Sequence, residues 1–273
     1  MKLLLLITLT MLAFAGNSVL TRMALAWGDA GASSFALVRL VAGAGALVLL
    51  LAWRDGRSLR PRFALGGAGS LALYVVGFSL AYRWLDAGVG ALILFGGVQV
   101  TMFAGALWRG DAVTANRYIG AALAMAGLAW MMWPTGGGAP DLIGAAMMLA
   151  AALGWGVYSL RGRNAADPLA DTAWSFLWAV PAGAALFALL PDAMTARGAM
   201  LAIVSGAVTS GLGYALWYRV LPQITASTAA LAQLTVPVIA LAGGAALLGE
   251  PLTLRFAAAS ALVLGGVAFG LRR

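Results

Sequence analysis

Four polar side chains interrupt long apolar runs of the chain and could bind a small molecule there. Asn17 and Ser18 lie late in the first run, Gln99 in the fourth and Gln233 in the ninth. A polar group in hydrocarbon costs free energy unless it is paired, so these side chains should face other helices or a hydrated cavity. They predict either hydrogen bonds between helices or hydrogen bonds to the ammonium and carboxylate groups of an amino acid.

Aromatic side chains recur at helical spacing in the same runs. Tyr74, Phe78 and Tyr82 are spaced four residues apart, and Trp155 and Tyr158 are three apart, so each set shares one helix face. Walls of aromatic rings with a few polar groups suit a small amphipathic ligand, and rings also attract ammonium groups. Packing between helices and anchoring at the membrane interface are the alternative roles. The other aromatic candidates are Trp178, Tyr214 and Trp217.

Two charged residues call for a structural and a functional interpretation. Arg39 is the one arginine clearly inside an apolar run, where it could bind a substrate carboxylate. It could equally reach outward to water or cap a neighbouring helix, and this structural role is favoured. Glu250, with Pro251 and Thr253, predicts the start of the tenth helix, where a carboxylate suits the helix dipole. No carboxylate lies in the middle of a run, which argues against a buried acid that relays protons.

The composition excludes several classes of protein. Of the 273 residues, 63% are hydrophobic and 10% are charged, against about 25% charged in a soluble domain. The chain has no cysteine and no histidine, which removes the thiol nucleophile, the imidazole base and the commonest metal ligands. We therefore expect no enzyme activity, no cofactor and no metal. The net charge of +8 is scattered over the ends of the runs, so a nucleic acid partner is not expected either.

The apolar runs predict ten transmembrane helices, because about 20 apolar residues cross a bilayer. Twelve lysines and arginines fall on the side of the N-terminus and four on the other side, which predicts cytoplasmic termini in a bacterial inner membrane. The tryptophans near span ends are most simply interfacial anchors. The predicted spans are 3–21, 32–53, 63–84, 88–108, 115–133, 141–160, 172–190, 198–219, 224–247 and 253–271.

The second half of the chain echoes the first. The sequence Tyr82-Arg83-Trp84-Leu85 recurs, shifted by 136 residues, as Tyr218-Arg219-Val220-Leu221, and Gly110-Asp111 recurs, shifted by 139, as Gly249-Glu250. Each half holds five predicted spans, and an odd number turns the second half upside down in the membrane. The sequence therefore predicts an all-α integral membrane protein with two inverted five-helix repeats, 1–135 and 139–273, around a central cavity.

Three segments resemble one family. The segment Leu149–Arg161 resembles the sixth helix of EamA-type proteins in the drug/metabolite transporter superfamily, and Leu247–Thr253 resembles their junction between helices nine and ten. The start of the second span, Ala36–Leu40, is also similar. The resemblance implies ten helices, inverted halves and transport of amino acids, other metabolites or drugs. The aromatic content is similar to that of the YddG-type exporters of aromatic amino acids, although Ala15-Gly16 replaces the Trp-Gly pair usual in the family.

These observations favour a transporter that exports small amphipathic metabolites by alternating access, with aromatic or large neutral amino acids as the leading substrates. Export of drugs or other uncharged metabolites is the alternative, and a structural membrane protein is the alternative outside transport. The expected partners are a small-molecule substrate and the lipid bilayer, with the chain a monomer or weak oligomer.

Overall fold

The computed structural model describes residues 2–55, 65–108, 114–133, 140–162, 166–220, 223–224, 232–233, 235–270 and 272. These residues form ten helices and no named strand, which confirms the predicted all-α class. The helices are α1 Lys2–Ala26, α2 Ala32–Arg54, α3 Leu65–Ala81, α4 Ala87–Trp108, α5 Ala115–Met132, α6 Leu142–Gly162, α7 Pro168–Leu189, α8 in three parts (Ala196–Val204, the π-helical Ser205–Leu212 and Gly213–Val220), α9 Thr235–Leu248 and α10 Leu254–Gly270.

Polar residues just before the apolar runs start several helices. Asp141 accepts a hydrogen bond from the backbone of Gly144, and Asp167 accepts one from Ala170. Thr195 accepts one from Gly198 in the same way. Each bond satisfies a backbone N–H of the first turn that has no partner inside its helix. These caps explain why α7 begins at Pro168, four residues before the predicted span.

Glu250 does not start the tenth helix, so this prediction is wrong. The hydroxyl of Thr253 accepts the backbone N–H of Phe256 and caps α10. Both carboxylate oxygens of Glu250 instead accept the backbone N–H of Ala87, the first residue of α4, at 3.0 and 2.9 Å. Gly249 has a φ of 66°, a left-handed conformation at the end of α9 that turns the chain and directs Glu250 toward α4.

The helices pack in a pattern that is symmetric under exchange of helix n with helix n + 5. Helix α2 packs on α7, α4 on α9 and α5 on α10, and each of these pairs maps onto itself. The pairing of α3 with α6 maps onto that of α8 with α1, and both are present. The pairing of α4 with α6 likewise maps onto that of α9 with α1. The predicted junction between the repeats, 136–138, lies outside the described residues.

Glycine allows two of these helix pairs to approach closely. A Cβ at Gly77 of α3 would lie 2.7 Å from the carbonyl oxygen of Met147 on α6. A Cβ at Gly266 of α10 would lie 2.8 Å from the backbone nitrogen of Ala124 on α5. Small residues permit such backbone contacts between membrane helices, where no hydrophobic effect draws the helices together.

The outer surface of the bundle is apolar. Many large apolar side chains lie on this surface, among them Leu49 and Leu189, which are 72% and 78% exposed. In water such a surface would be unfavourable, whereas in lipid it is matched. Helices α1, α2, α6, α7 and α8 are long and apolar enough to cross a membrane, and the other five have shorter apolar stretches in the described part. Trp27, Trp53, Trp84, Trp108 and Trp133 are exposed at helix ends, as expected for interfacial anchors.

Candidate substrate site

A small cavity lies among five helices of the bundle. Its volume is about 10 Å³, which is room for about one water molecule. Helices α1, α3, α4, α6 and α8 all contribute side chains to it, so a ligand here would contact both halves of the chain. The lining residues are Phe14, Asn17, Tyr74, Phe78, Leu94, Phe95, Trp155 and Tyr214.

Phe14 is the centre of an aromatic cluster that forms one wall of this cavity. Its ring meets those of Trp155, Tyr214 and Trp217 edge to face, with centroids 6.0, 5.9 and 5.7 Å apart. Trp155 also lies 4.8 Å from Tyr214 and 5.0 Å from Tyr74. Helices α1, α3, α6 and α8 thus meet through aromatic contacts, which favour such tilted and edge-to-face geometries.

The aromatic residues of α3 extend this cluster along the helix axis. The rings of Tyr74 and Phe78 are 5.3 Å apart, and those of Phe78 and Tyr82 are 4.8 Å apart, so the three share one face as their spacing predicts. Tyr158 stacks on Trp155 at 5.7 Å, and its hydroxyl donates to Thr172 of α7. Tyr82 donates to the carbonyl of Ala87 and closes the cluster toward the start of α4.

A π-helical segment of α8 supplies the polar face of the site. In a π-helix each turn holds an extra residue, which changes the side chains that project from one face. Asn17 of α1 meets three hydroxyl groups of this segment, because its Oδ1 accepts from Ser205 at 3.1 Å, from Ser210 at 3.2 Å and from Thr209. Its amide nitrogen donates to the carbonyl of Thr209. The amide is therefore a buried link between the two halves of the chain.

Arg39 is fully buried behind two rings of the cavity wall. Its Nε donates to Ser210 at 3.1 Å and its Nη2 donates to the hydroxyl of Tyr74 at 2.9 Å. The guanidinium lies 5.2 Å from the ring centre of Tyr74 and 4.8 Å from that of Phe78. The side chain neither reaches water nor caps a helix, so the structural role favoured from the sequence is not the one observed. In the described part of the chain Nη1 has no hydrogen-bond partner.

Four other candidates lie apart from the cavity lining. Ser18 is buried on α1 beside Asn17, and Gln233 is buried in the short stretch before α9. Gln99 lies on α4, and within the described residues its Nε2 has no partner. Trp178 is 38% exposed on α7 and turns toward the outside of the bundle, so it does not belong to the site. Sequence spacing could not decide this, because α7 is apolar on all sides from Phe176 to its end at Leu189.

Sequence reasoning missed Phe14 and the hydroxyl groups that meet Asn17. Phe14 lies three residues before Asn17 on the same helix face, so the polar residue itself could have identified it. The segment that contains Ser205 and Thr209 is unusually rich in serine, threonine and glycine for a membrane helix. Such residues hydrogen-bond across helices and permit close approach, which is the signal that could have marked the segment.

A second cavity, the Arg22 cavity, opens at the end of the bundle where α1 ends and α4 begins. It has a volume of about 190 Å³ and is lined by parts of α4, α9 and α10 and by the connections that precede α4, α6 and α10. It is named for Arg22, which lies beside it and pairs with two of its lining carboxylates. Arg22 pairs there with Asp86 at 3.2 Å and with Glu250 at 3.3 Å, and donates to the carbonyl of Tyr82. Asp141 also faces this cavity. Burial raises the pKa of the Glu250 carboxyl despite the hydrogen bond from Ala87, and the charge of Asp86 adds to the rise.

The same end of the bundle is joined at α2, α7 and α8. Asp192 accepts hydrogen bonds from the backbone N–H groups of Ser33 and Ser34, at 2.8 and 3.0 Å. Burial would raise the pKa of the Asp192 carboxyl, but the hydrogen bonds from Ser34 and Ser33 together outweigh it and lower the pKa. Asp29 pairs with Arg197 at 3.4 Å. Ionic and capping contacts therefore join helices at two places on the end of the bundle that carries Arg22.

Comparison with known proteins agrees with this architecture. An uncharacterized protein from Pseudomonas aeruginosa is 47% identical over 267 residues, which cover 97% of this chain and 93% of that one. An uncharacterized transporter from Archaeoglobus fulgidus is 27% identical over 230 residues, 81% of this chain and 79% of the other. One crystal structure with 19% identity superposes with a TM-score of 0.67 over 96% of this chain and 98% of that chain, which shows a shared fold.

The apolar helical bundle and these similarities define a multi-pass membrane transporter. The profile of the EamA-like transporter family matches residues 142–272. The chain belongs to this EamA-like transporter family, and the resemblance drawn from its sequence motifs is confirmed. Within the described residues no three acidic side chains lie close enough together to hold a metal ion.

Proposed function

We propose that this protein exports small amphipathic metabolites across the bacterial inner membrane, with aromatic or large neutral amino acids as its substrates. One observation carries the proposal: a buried ring cluster from α1, α3, α6 and α8 lines a cavity together with Asn17, and the guanidinium of Arg39 lies directly behind two of these rings. An amino acid side chain would occupy the aromatic part, and its polar end would meet the amide and the guanidinium. Aromatic lining with a few convergent polar groups is the usual composition of such a site.

Alternating access is the proposed transport mechanism. The central cavity of about 10 Å³ is too small for any amino acid, so a substrate enters only after the helices separate. The structure then corresponds to a closed state between inward-open and outward-open forms. The two halves, 1–135 and 139–273, are the proposed inverted repeats, and the symmetric pairing of helix n with helix n + 5 supports them. Rocking of inverted repeats around a midplane site is a common transporter design.

The Arg22 end of the bundle is the proposed outer side. Twelve basic residues would then lie on the cytoplasmic side and four on the outer side, with both termini cytoplasmic. The ion pairs of Arg22 with Asp86 and Glu250 would join α1, α4 and the α9–α10 connection on the outer surface. Opening toward the outside must separate these groups, so the Arg22 cavity is the proposed exit path of the substrate.

Counterflow with purified protein in liposomes tests the proposal. Liposomes that contain the protein are loaded with one amino acid from a panel, and their uptake of labelled phenylalanine is measured with and without a pH gradient. Liposomes without protein are the control. Phenylalanine, tyrosine, tryptophan and leucine should exchange, and aspartate and lysine should not. Exchange of cationic drugs without exchange of any aromatic or large neutral amino acid would make the amino-acid assignment wrong and favour drug export.

A further inference from the structure

The central site contains a buried positive charge, that of Arg39, and no acidic side chain among the described residues. Among the described residues, Arg39 is the only charged one that is buried as a whole; the other buried charged side chain, that of Glu250, is paired with Arg22 at the end of the bundle. All nine acidic residues of the chain fall outside the middle of the apolar runs, and those described lie at helix ends or in connections. A buried arginine normally has an anionic partner, because an unpaired charge in a medium of low dielectric constant is costly. Here the described part of the chain supplies none.

The hydrogen bonds of Arg39 leave some N–H donors of its guanidinium without a partner among the described residues. The group carries five N–H donors in a fixed plane. Nε uses its single donor on Ser210, and Nη2 uses one of its two on Tyr74. The two donors of Nη1 have no partner among the described residues. A carboxylate is the group that best matches two such donors, because it binds guanidinium through two parallel charge-assisted hydrogen bonds.

An ammonium group finds no comparable partner in the same place. The Oδ1 atom of Asn17 already accepts from the hydroxyls of Ser205, Thr209 and Ser210. The remaining surroundings are the rings of the cavity wall and the hydroxyl of Tyr214, which has no partner among the described residues. A ring or a single neutral hydroxyl attracts an ammonium less strongly than a carboxylate would. The positive charge of Arg39 repels it as well.

We propose that the site selects an aromatic carboxylate and that the amino group of the substrate is dispensable. This inference rests on the proposed function and specifies what the site recognises in an amino acid. Aromatic acids that lack the amino group, such as arylalkanoic acids and aromatic 2-oxo acids, are then substrates as well. Amines and amides that keep the ring and the ammonium group but lack the carboxylate are excluded.

Four ligands with the same phenyl ring show whether the protein recognises the carboxylate or the ammonium group. Phenylalanine has both charges, 3-phenylpropionate has only the carboxylate, and phenylalaninamide and phenethylamine have only the ammonium. Each competes with labelled phenylalanine, and in parallel with labelled 3-phenylpropionate, for uptake into liposomes that contain the wild-type protein. We expect 3-phenylpropionate to compete within about threefold of phenylalanine and both amines to be at least about tenfold weaker, a difference of about 1.4 kcal/mol.

The outcomes distinguish this inference from the proposed function. Competition by the amines with none by 3-phenylpropionate overturns the inference but leaves amino-acid transport standing. Uptake of 3-phenylpropionate without uptake of phenylalanine refutes amino-acid transport and supports carboxylate selection. Uptake of neither refutes both.

The variants Arg39→Gln and Arg39→Lys test whether Arg39 itself binds the carboxylate. Thermal unfolding of each purified variant is recorded with and without 3-phenylpropionate, because a ligand that binds the folded state raises the unfolding temperature. We expect the ligand to stabilise the wild type, to stabilise Arg39→Lys less, and to have no effect on Arg39→Gln. Undiminished stabilisation of Arg39→Gln overturns the inference. Should Arg39→Gln not fold, the competition series with the wild type decides alone.

Discussion

Two arginines of this bundle have opposite surroundings. Arg22, at the end of α1, is one-fifth exposed and pairs with two carboxylates, those of Asp86 and Glu250. Arg39, in the middle of the bundle, is fully buried and has only the hydroxyls of Ser210 and Tyr74 as hydrogen-bond partners in the described part of the chain. The better solvated arginine is thus neutralised by the chain, and the less solvated one is not.

This difference separates a structural role from a functional one. The charge of Arg22 is satisfied within the protein and joins three segments, so its loss should weaken the closed form. The charge of Arg39 carries a desolvation cost that no acidic group offsets, as is common where a site is arranged for a ligand rather than for stability.

Arg39→Gln should lower transport of phenylalanine by about 100-fold, with kcat/KM from proteoliposome uptake as the measurement. A charge-assisted hydrogen bond contributes about 1.5–3 kcal/mol, and two to one carboxylate reach the upper part of this range. Arg39→Lys keeps the charge but loses the planar donor pair and should retain part of the activity. Equal activity of the wild type and Arg39→Gln would show that the buried charge does not bind substrate.

Trp155→Leu should raise the KM for phenylalanine about tenfold, because it removes a ring of the cavity wall while it keeps an apolar side chain of similar position. A stacked or edge-to-face ring pair is worth about 0.5–1.5 kcal/mol beyond its buried area. Trp178→Leu is the matched control, since Trp178 is a tryptophan on the outside of α7. The KM of the Trp178→Leu variant should equal that of the wild type. Equal increases in KM for the two substitutions would refute the placement of the site.

Arg22→Gln should destabilise the folded protein by about 1 kcal/mol, because it leaves Asp86 and Glu250 facing each other without a cation. Arg39→Gln should not destabilise it, since the same substitution there removes a buried charge that lacks an acidic partner. Thermal unfolding in detergent measures both. Destabilisation by Arg39→Gln that matches or exceeds that by Arg22→Gln would contradict the contrast drawn between the two sites.

Acidification on the proposed outer side should favour the proposed closed form. Burial raises the pKa of the Glu250 carboxyl in this closed form, and an exposed glutamate titrates near 4.3. The closed form therefore binds the proton more tightly than an open form in which Glu250 is hydrated, and a fall in pH through this window stabilises it. The groups that face Glu250 are Arg22 of α1, Asp86 before α4 and, across the Arg22 cavity, Asp141.

Single-cysteine labelling can measure this shift, because the chain has no cysteine of its own. Leu94→Cys reports exposure of the central cavity to a maleimide that cannot cross the membrane, and Leu254→Cys, at an exposed position, corrects for the pH dependence of the reagent. The corrected rate at Leu94→Cys should fall as the outside pH is lowered from neutral toward the ordinary glutamate pKa of about 4.3, and Glu250→Gln should abolish this response. A rate that rises on acidification would contradict the assigned direction.

Much of the fold could be predicted from the sequence, because a bilayer imposes simple rules on length and polarity. The ten apolar runs identify the ten helices, although some boundaries differ. The Asp167 cap starts α7 four residues early, and α1 continues to Ala26, five residues past its predicted end. The contacts of Glu250 could not be predicted. Its position before Thr253 fits a helix start, but its true partners, Ala87 and Arg22, are 163 and 228 residues away in the chain.

The site could be predicted only in part, for two physical reasons. The spacing of Tyr74 and Phe78 and of Trp155 and Tyr158 shows which rings share a face, and the structure brings both pairs into one cluster. Helices that are apolar all around give no sign of which face is inside, so Trp178 could not be told apart from Trp155. The π-helical turn that directs Ser210 toward Arg39 is a local change of helical pitch, which hydrophobic periodicity does not encode.

A structure with bound phenylalanine, and the distance from the ligand carboxylate to Nη1 of Arg39 within it, tests the central claim most directly. We predict two hydrogen bonds of about 2.7–2.9 Å from the guanidinium to the carboxylate, with the phenyl ring between Trp155 and Tyr214. A ligand whose carboxylate lies beyond hydrogen-bond distance of Arg39, or one bound in the Arg22 cavity alone, would contradict the claim.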